Sequence, residues 1–116
     1  MLKTAGMASE IRSIQFDYEN SDEWTLYEKL CNKITEEVGG KENISMLVNN
    51  VEERDPFGEK FHKASDKQLV QTINMNSFPL VFMTRFLGPN LKERMAAGKT
   101  HSGIINMTSM HADHPV

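Results

Sequence analysis

Three short stretches rich in apolar residues predict the β-strands of this chain. Residues 11–16 alternate apolar and polar side chains and end at Asp17, which is typical of a half-buried strand. The runs 44–49 and 102–108 are dominated by apolar side chains, as is typical of strands buried on both faces of a parallel sheet. We therefore expect three strands.

A helix is predicted between the first and second strands. The segment Asn20–Glu23 offers an N-cap and an acidic first turn, and Gly39-Gly40 is a helix-end signal. The residues between them form an apolar stripe at helical spacing. The stripe consists of Trp24, Tyr27, Cys31, Ile34 and Val38, widened by Leu26 and Leu30.

A longer helical pattern precedes the third strand. Ser65 and Gln68 match a capping box, and Gly98 closes the pattern. Pro79 has no N–H to bond the carbonyl of Met75, so a bend is expected beside Asn76. Gly88-Pro89 predicts a second bend or break. The apolar residues are Leu69, Val70, Ile73, Phe78, Val81, Phe82 and Phe86, and Met75, Met83, Met95 and Met107 are expected in or near the core.

This order predicts an α/β fold with right-handed crossovers. Residues 1–116 would form a single partial domain, a doubly wound parallel sheet of three strands with two crossover helices. Residues 50–64, which include the breakers Asp55-Pro56 and Phe57-Gly58, are predicted to be a loop. Three strands leave exposed edges, so we expect marginal stability or aggregation.

Composition excludes several classes of function. A net charge of −3 and a pI of about 5.8 give no electrostatic basis for binding nucleic acid. One cysteine, Cys31, fits a reducing compartment and packing rather than nucleophilic use. The N-terminus lacks the apolar core of a signal peptide, which favours an intracellular, cytoplasmic location. The run 111–114, His-Ala-Asp-His, lacks a convincing metal-ligand set, so no metal is predicted.

Three motifs in order resemble the middle of a short-chain dehydrogenase/reductase. They are Leu47-Val48-Asn49-Asn50-Val51, then Asn74-Met75-Asn76 in a helical pattern, then residues 104–109, Ile-Ile-Asn-Met-Thr-Ser. The first motif is most similar to the branch of 17β-hydroxysteroid dehydrogenases and very-long-chain 3-oxoacyl-CoA reductases. The resemblance implies an oxidoreductase of lipid metabolism with a Rossmann fold, a steroid or 3-oxoacyl-CoA substrate, and NADP(H) or NAD(H), more typically NADPH. Full-length relatives are often anchored in the endoplasmic reticulum membrane, so the resemblance allows that location for a full-length parent.

The resemblance assigns catalytic positions to two residues. Ser109 matches the serine that hydrogen-bonds the substrate oxygen, and its alternative role is a hydroxyl capping a strand end. Asn76 matches the helix asparagine that holds a water in a proton relay. Its alternative role is to satisfy backbone groups at a kinked helix.

Cofactor contacts are implied at two strand ends. Asp17 resembles the acidic residue that contacts the adenine, with Tyr18 beside it, although an aspartate there is equally typical of a turn. Asn49, Asn50 and Val51 match the strand end beside the nicotinamide ribose. The family pattern continues with glycine, whereas this chain has Glu52. A carboxylate there should repel an anionic cofactor and weaken its binding.

Two family motifs do not occur in the 116 residues. The seven glycines form no glycine-rich cofactor turn, and neither Tyr18 nor Tyr27 begins a Tyr-x-x-x-Lys. The chain therefore resembles a central fragment whose own activity we expect to be absent. One alternative is a non-catalytic protein that pairs with a full-length relative or a complementing chain through the helix around Asp66–Arg94. Another is an incomplete gene model, a pseudogene, or one exon of a longer protein.

Overall fold

Helices and two paired strands alternate along the chain. The computed structural model describes residues 10–52, 61–98 and 101–109. In chain order the elements are helix α1 (Trp24–Glu37), strand β1 (Met46–Asn49), helices α2 (Asp66–Asn76) and α3 (Phe78–Ala96), and strand β2 (Gly103–Asn106). Short 3₁₀ segments at Lys41–Asn43 and Phe61–Lys63 precede β1 and α2.

The two strands pair in parallel, as the apolar runs predict. Met46 lies opposite Gly103, and Asn49 lies opposite Asn106. Because α2 and α3 lie between the strands in sequence, this helical pair forms the connection between them. The predicted α/β class with parallel pairing is confirmed.

The strand predicted at residues 11–16 is not formed. Within the described ranges the sheet contains β1 and β2, and residues 10–17 have no regular secondary structure. Aromatic packing against α1 holds this segment instead. The ring of Phe16 lies 4.9 Å from that of Tyr18 and 5.2 Å from that of Tyr27. The apolar alternation therefore reflects contact with a helix rather than strand pairing.

Helix α1 begins differently from the prediction and ends as predicted. Glu23 occupies the N-cap position without a capping side-chain hydrogen bond, and the first turn holds no acidic residue. The N-cap residue therefore lies in the predicted segment 20–23, but the predicted acidic first turn is wrong, because Asp22 and Glu23 precede the helix. At the other end, Gly39 and Gly40 adopt φ angles of 75° and 138°, which side chains with a Cβ rarely tolerate.

The helical pattern before β2 is divided into two helices at Ser77. The predicted capping box is present, since Ser65 Oγ accepts from Gln68 N at 3.3 Å and Gln68 Oε1 accepts from Ser65 N at 2.9 Å. Helix α2 ends at Asn76, and Pro79 lies in the first turn of α3, where its missing N–H costs no helical bond. The bend expected beside Asn76 is thus confirmed as a break.

Gly88-Pro89 does not interrupt α3, contrary to the prediction. The helix continues to Ala96 with Pro89 inside it. Leu87 and Leu91, on either side of Pro89, are both buried in the core, whereas Pro89 itself is exposed. Burial of these two leucines offsets the loss of one backbone hydrogen bond. Gly98 follows the helix end with a φ of 71°, as predicted.

The core lies between α1, β1 and α3. Side chains at helical spacing on α3, namely Met83, Leu87 and Leu91, face Tyr27 and Cys31 of α1. In the described part of the chain, the hydrophobic core cluster consists of Tyr27, Leu30, Cys31, Ile44, Leu47, Met83, Leu87 and Leu91. Helix α3 also contacts α2 and both strands. One helix thus organises the packing that positions the strand ends.

Several residues expected in the core are exposed. Trp24 and Val38, at the two ends of the α1 stripe, are largely accessible, as are Met95 and Met107. Three residues of the predicted apolar set on α2 and α3, Val70, Ile73 and Val81, are exposed as well. Helical spacing predicts an apolar face, but the partner that covers each part of that face is set by tertiary contacts.

Candidate functional site

The carboxyl ends of both strands lie at one edge of the sheet. Because β1 and β2 are parallel, the segments that follow them, Asn50–Glu52 and Met107–Ser109, emerge together. The N–H of Met107 donates to the carbonyl of Asn49 at 2.9 Å, so pairing extends to the first residue after β2. Open α/β sheets place their ligands at this edge.

A cavity of about 500 Å³ lies at this edge. Among the described residues, the cavity is lined by the segments that follow the two strands and by the last residue of α2. The lining residues are Asn50, Val51, Glu52, Asn76, Met107, Thr108 and Ser109. Ser109 and Asn76, which lie 33 positions apart in the sequence, therefore share one cavity with Asn50 and Val51. Four of the seven predicted site residues meet here.

The polar groups of this cavity are suited to an uncharged ligand. Ser109 and Thr108 offer hydroxyls, and Asn50 and Asn76 offer amides, which both donate and accept hydrogen bonds. Among the described lining residues, Glu52 is the one with an ionisable side chain. Hydroxyls and amides can orient a carbonyl, an alcohol or a ribose, and their position is set by strand ends and a helix end rather than by a long loop.

Asn49 has a packing role that the sequence did not suggest. Its side chain is buried, and its amide nitrogen donates to Asn106 Oδ1 at 2.8 Å and to Thr84 Oγ1 at 3.4 Å. This amide joins β1, β2 and α3 immediately before the chain enters the cavity. Asn49 does not line the cavity itself. A cofactor contact by Asn49 stays a prediction.

Asp17 and Tyr18 lie apart from the cavity lining. The Asp17 carboxylate accepts from Asn20 Nδ2 at 2.8 Å and from Asn20 N at 3.3 Å, which is the turn alternative. These hydrogen bonds from Asn20 lower the pKa of Asp17. Tyr18 packs on Phe16 and lines a different groove of about 290 Å³, and burial raises its pKa. The cofactor contacts proposed for this pair stay a prediction.

The sequence did not predict that Met107 and Thr108 line the cavity. Met107 was expected in or near the core, and Thr108 was counted as the last residue of the third strand. Both follow β2, which ends at Asn106, and both contribute to the cavity wall. The available signal was their position next to Ser109, at the end of an apolar run.

Cys31 is a packing residue, as its place on the apolar stripe predicts. Its thiol is buried, with Sγ 3.6 Å from Met83 Sδ. Desolvation by burial raises the pKa of the thiol to about 11, so the thiolate is disfavoured at neutral pH. A nucleophilic role is therefore unfavourable.

The described ranges contain neither a metal-ligand cluster nor a helix suited to cross a membrane. Those residues contain no group of three or more His, Cys, Asp or Glu side chains arranged to hold a metal ion. Residues 111–114 lie outside the described part of the chain. None of the described helices is both long enough and apolar enough to cross a membrane.

The whole chain matches a known family of enzymes. A family model described as short chain dehydrogenase matches residues 1–116, so the chain belongs to the short-chain dehydrogenase family. No curated protein and no solved structure shows significant similarity to it. The family as a whole consists of oxidoreductases that generally use NAD(P)(H). The hydroxyls and amides of the cavity fit the nicotinamide–ribose end of such a cofactor, which is neutral when reduced and cationic when oxidised, whereas the Glu52 carboxylate does not fit a phosphate.

Proposed function

We propose that the cavity is the substrate end of an oxidoreductase site that interconverts a ketone and an alcohol on a steroid or a 3-oxoacyl-CoA. The observation that carries this proposal is that Ser109 and Asn76 share one cavity at the carboxyl ends of parallel strands. The substrate class rests on the resemblance of Leu47–Val51 to that branch of the family. The parent enzyme would act in lipid metabolism at the endoplasmic reticulum.

Each polar group has a distinct role in this proposal. The Ser109 hydroxyl donates a hydrogen bond to the substrate oxygen and orients the carbonyl. The Asn76 amide holds a water at the end of α2, beside the same cavity. Asn50 and Val51 line the side of the cavity that receives the cofactor. When bound, the nicotinamide of NADP(H) or NAD(H) supplies or accepts the hydride.

Binding to the 116-residue chain tests the proposed role of Ser109. Amide chemical shifts of the ¹⁵N-labelled protein are followed during titration with a 3-oxoacyl-CoA, a steroid ketone, or NADPH. We expect shifts at Asn50, Asn76 and Ser109. In Ser109→Ala, ketone affinity should fall about two- to tenfold, the range of one hydrogen bond, while NADPH affinity stays unchanged.

Ser45→Ala provides the matched control. Ser45 precedes β1 at the opposite end of the sheet, so its removal should leave the affinity for every ligand unchanged. If Ser109→Ala binds the ketone as well as the original chain does, the role assigned to Ser109 is wrong.

Turnover by the 116-residue chain is expected to be absent. The sequence contains no Tyr-x-x-x-Lys, so it offers no tyrosine to exchange the proton with the substrate oxygen in this mechanism. We expect no oxidation of NADPH above the blank with either substrate class. Measurable reduction of a steroid ketone or 3-oxoacyl-CoA would contradict this expectation.

A second candidate function is non-catalytic pairing with another chain. Val70 and Ile73 of α2 and Val81 of α3, together called the α2–α3 face, are each more than half accessible. Apolar residues at helical spacing on an accessible face are suited to contact with another helix. This proposal takes a second copy or a full-length relative as the partner.

Native mass spectrometry with a full-length relative tests the pairing. We expect a stoichiometric complex with the original chain and its loss in Val81→Asp, because a carboxylate would be desolvated in the contact. Val38→Asp is the control, since Val38 is an exposed apolar residue at the end of α1. Equal complex formation by both variants would exclude the α2–α3 face as the contact.

A further inference from the structure

Glu52 is the one ionisable residue among the described lining residues of the cavity. It lies three residues after β1 ends at Asn49, its side chain is exposed, and it lines the same cavity as Asn50, Asn76 and Ser109. Val51, between Asn50 and Glu52, also contributes to this wall. A ligand in this cavity would therefore lie beside Glu52.

The neutral and charged groups of the cavity select ligands differently. Hydroxyls and amides of the cavity can bind a sugar or an amide whatever charge the rest of the ligand carries, because they can both donate and accept hydrogen bonds. A carboxylate accepts from hydroxyls but repels a phosphate. Two like charges about 6 Å apart, in a medium between a protein surface and water, change affinity by a factor of about three to ten.

We propose that Glu52 is a specificity-determining residue that admits the uncharged or cationic nucleoside end of a nicotinamide cofactor and disfavours phosphate groups. This inference rests on the proposed function, in which the cavity receives such a cofactor. The carboxylate accepts hydrogen bonds from ribose hydroxyls, which are vicinal and neutral. A ligand phosphate is better bound outside the cavity, away from Glu52.

Two probes that differ by one phosphate isolate this effect. Nicotinamide riboside and nicotinamide mononucleotide share the ring and the ribose, and only the second carries a phosphate. Dissociation constants are measured on the 116-residue chain from amide shifts. We expect the riboside to bind about three to ten times more tightly than the mononucleotide. In Glu52→Gln the two affinities should become nearly equal.

Two controls separate a local charge effect from a general one. Glu36→Gln removes the same charge from an exposed position on α1, outside the cavity lining, and should preserve the original ratio. At about 1 M salt the Debye length falls to about 3 Å, so the ratio in the original chain should shrink. Glu52→Gly provides a second variant that removes the charge together with the side chain.

Each outcome decides the inference. If the ratio of the two dissociation constants in both Glu52 variants equals that of the original chain, the role assigned to Glu52 is wrong, and the proposed function is unaffected. If the riboside, the mononucleotide and NADPH all fail to bind any of these proteins, the proposed cofactor site is wrong and the Glu52 inference falls with it. If the ratio of the mononucleotide and riboside dissociation constants falls towards one only in the Glu52 variants, the inference is supported.

Discussion

Two ionisable residues, Tyr27 and Cys31, are buried in the core between α1 and α3. Tyr27 has no accessible surface, and Cys31 lies against Met83. Burial raises the pKa of Cys31 to about 11 and that of Tyr27 to about 12, because the charged forms lose their hydration. Within the described residues the Tyr27 hydroxyl has no hydrogen-bond partner, so nothing there compensates an ionised phenolate.

These pKa values predict a loss of stability at alkaline pH. In the unfolded chain the thiol ionises near pH 9.0 and the phenol near pH 10.0, whereas both stay protonated in the folded core. The contribution of these two groups to the free energy of unfolding is therefore constant below about pH 8 and falls as the pH rises through the window from 9 to about 12. We expect Cys31→Ala to remove about 1–2 kcal/mol of this pH-dependent fall, measured by urea unfolding at several pH values.

Met83→Leu is the control for the alkaline prediction. It changes the contact made by the Cys31 thiol but leaves the ionisable group in place, so the alkaline fall should persist. An identical pH dependence in Cys31→Ala and the original chain would show that the thiol is not responsible.

At the level of elements, the helix starts are stabilised in different ways. Helix α2 begins with a complete capping box between Ser65 and Gln68, whereas the N-cap residue of α1, Glu23, makes no capping side-chain hydrogen bond. Helix α1 is instead held by burial of Tyr27, Leu30 and Cys31. The only residue of α2 that is fully buried is Asn74, so local hydrogen bonds at Ser65 contribute a larger share of its stability.

Removing the Ser65 hydroxyl should therefore destabilise α2. We expect Ser65→Ala to lower the free energy of unfolding by about 1 kcal/mol, with faster amide hydrogen exchange in residues 66–70. Ser13→Ala is a matched control, because Ser13 is exposed in the segment before α1 and outside any helix. Unchanged exchange in α2 after Ser65→Ala would contradict the capping role.

On the scale of the whole molecule, the described sheet is covered by helix on one face only. Leu47 and Asn49 are buried, while Met46 and Val48, which alternate with them, are about half exposed. Ile105, opposite Val48 in the parallel register, is also exposed. This creates an apolar surface on the side of the sheet away from α3, next to strand edges that can pair with other chains.

This surface predicts concentration-dependent association. We expect Val48→Lys to raise the concentration at which the protein remains monomeric, measured by sedimentation velocity, because a charged side chain opposes stacking of two sheet faces. Val38→Lys adds the same charge at the end of α1 and should have a smaller effect. If both variants associate like the original chain, the sheet face is not the contact.

Local signals predicted those parts of the fold that depend on neighbouring residues in sequence. The capping box at Ser65, the glycines after α1 and the break beside Asn76 each arise from backbone requirements within a few residues. The same signals failed where distant contacts compete. Packing of Leu87 and Leu91 keeps α3 continuous through Pro89. At residues 11–16, the contact of the Phe16 ring with Tyr27 of α1 takes the place of strand pairing.

The candidate site, like the fold, could be predicted from the sequence only in part. The motifs at residues 47–51, 74–76 and 104–109 were enough to indicate the family and to single out Asn50, Asn76 and Ser109. Only the tertiary structure decided that these residues share a cavity, that Glu52 lies within it, and that Asn49 is used to join β1, β2 and α3. Sequence determines strand ends and helix ends through local hydrogen bonding and periodicity, whereas the meeting of those ends depends on the parallel register and on the packing of α3.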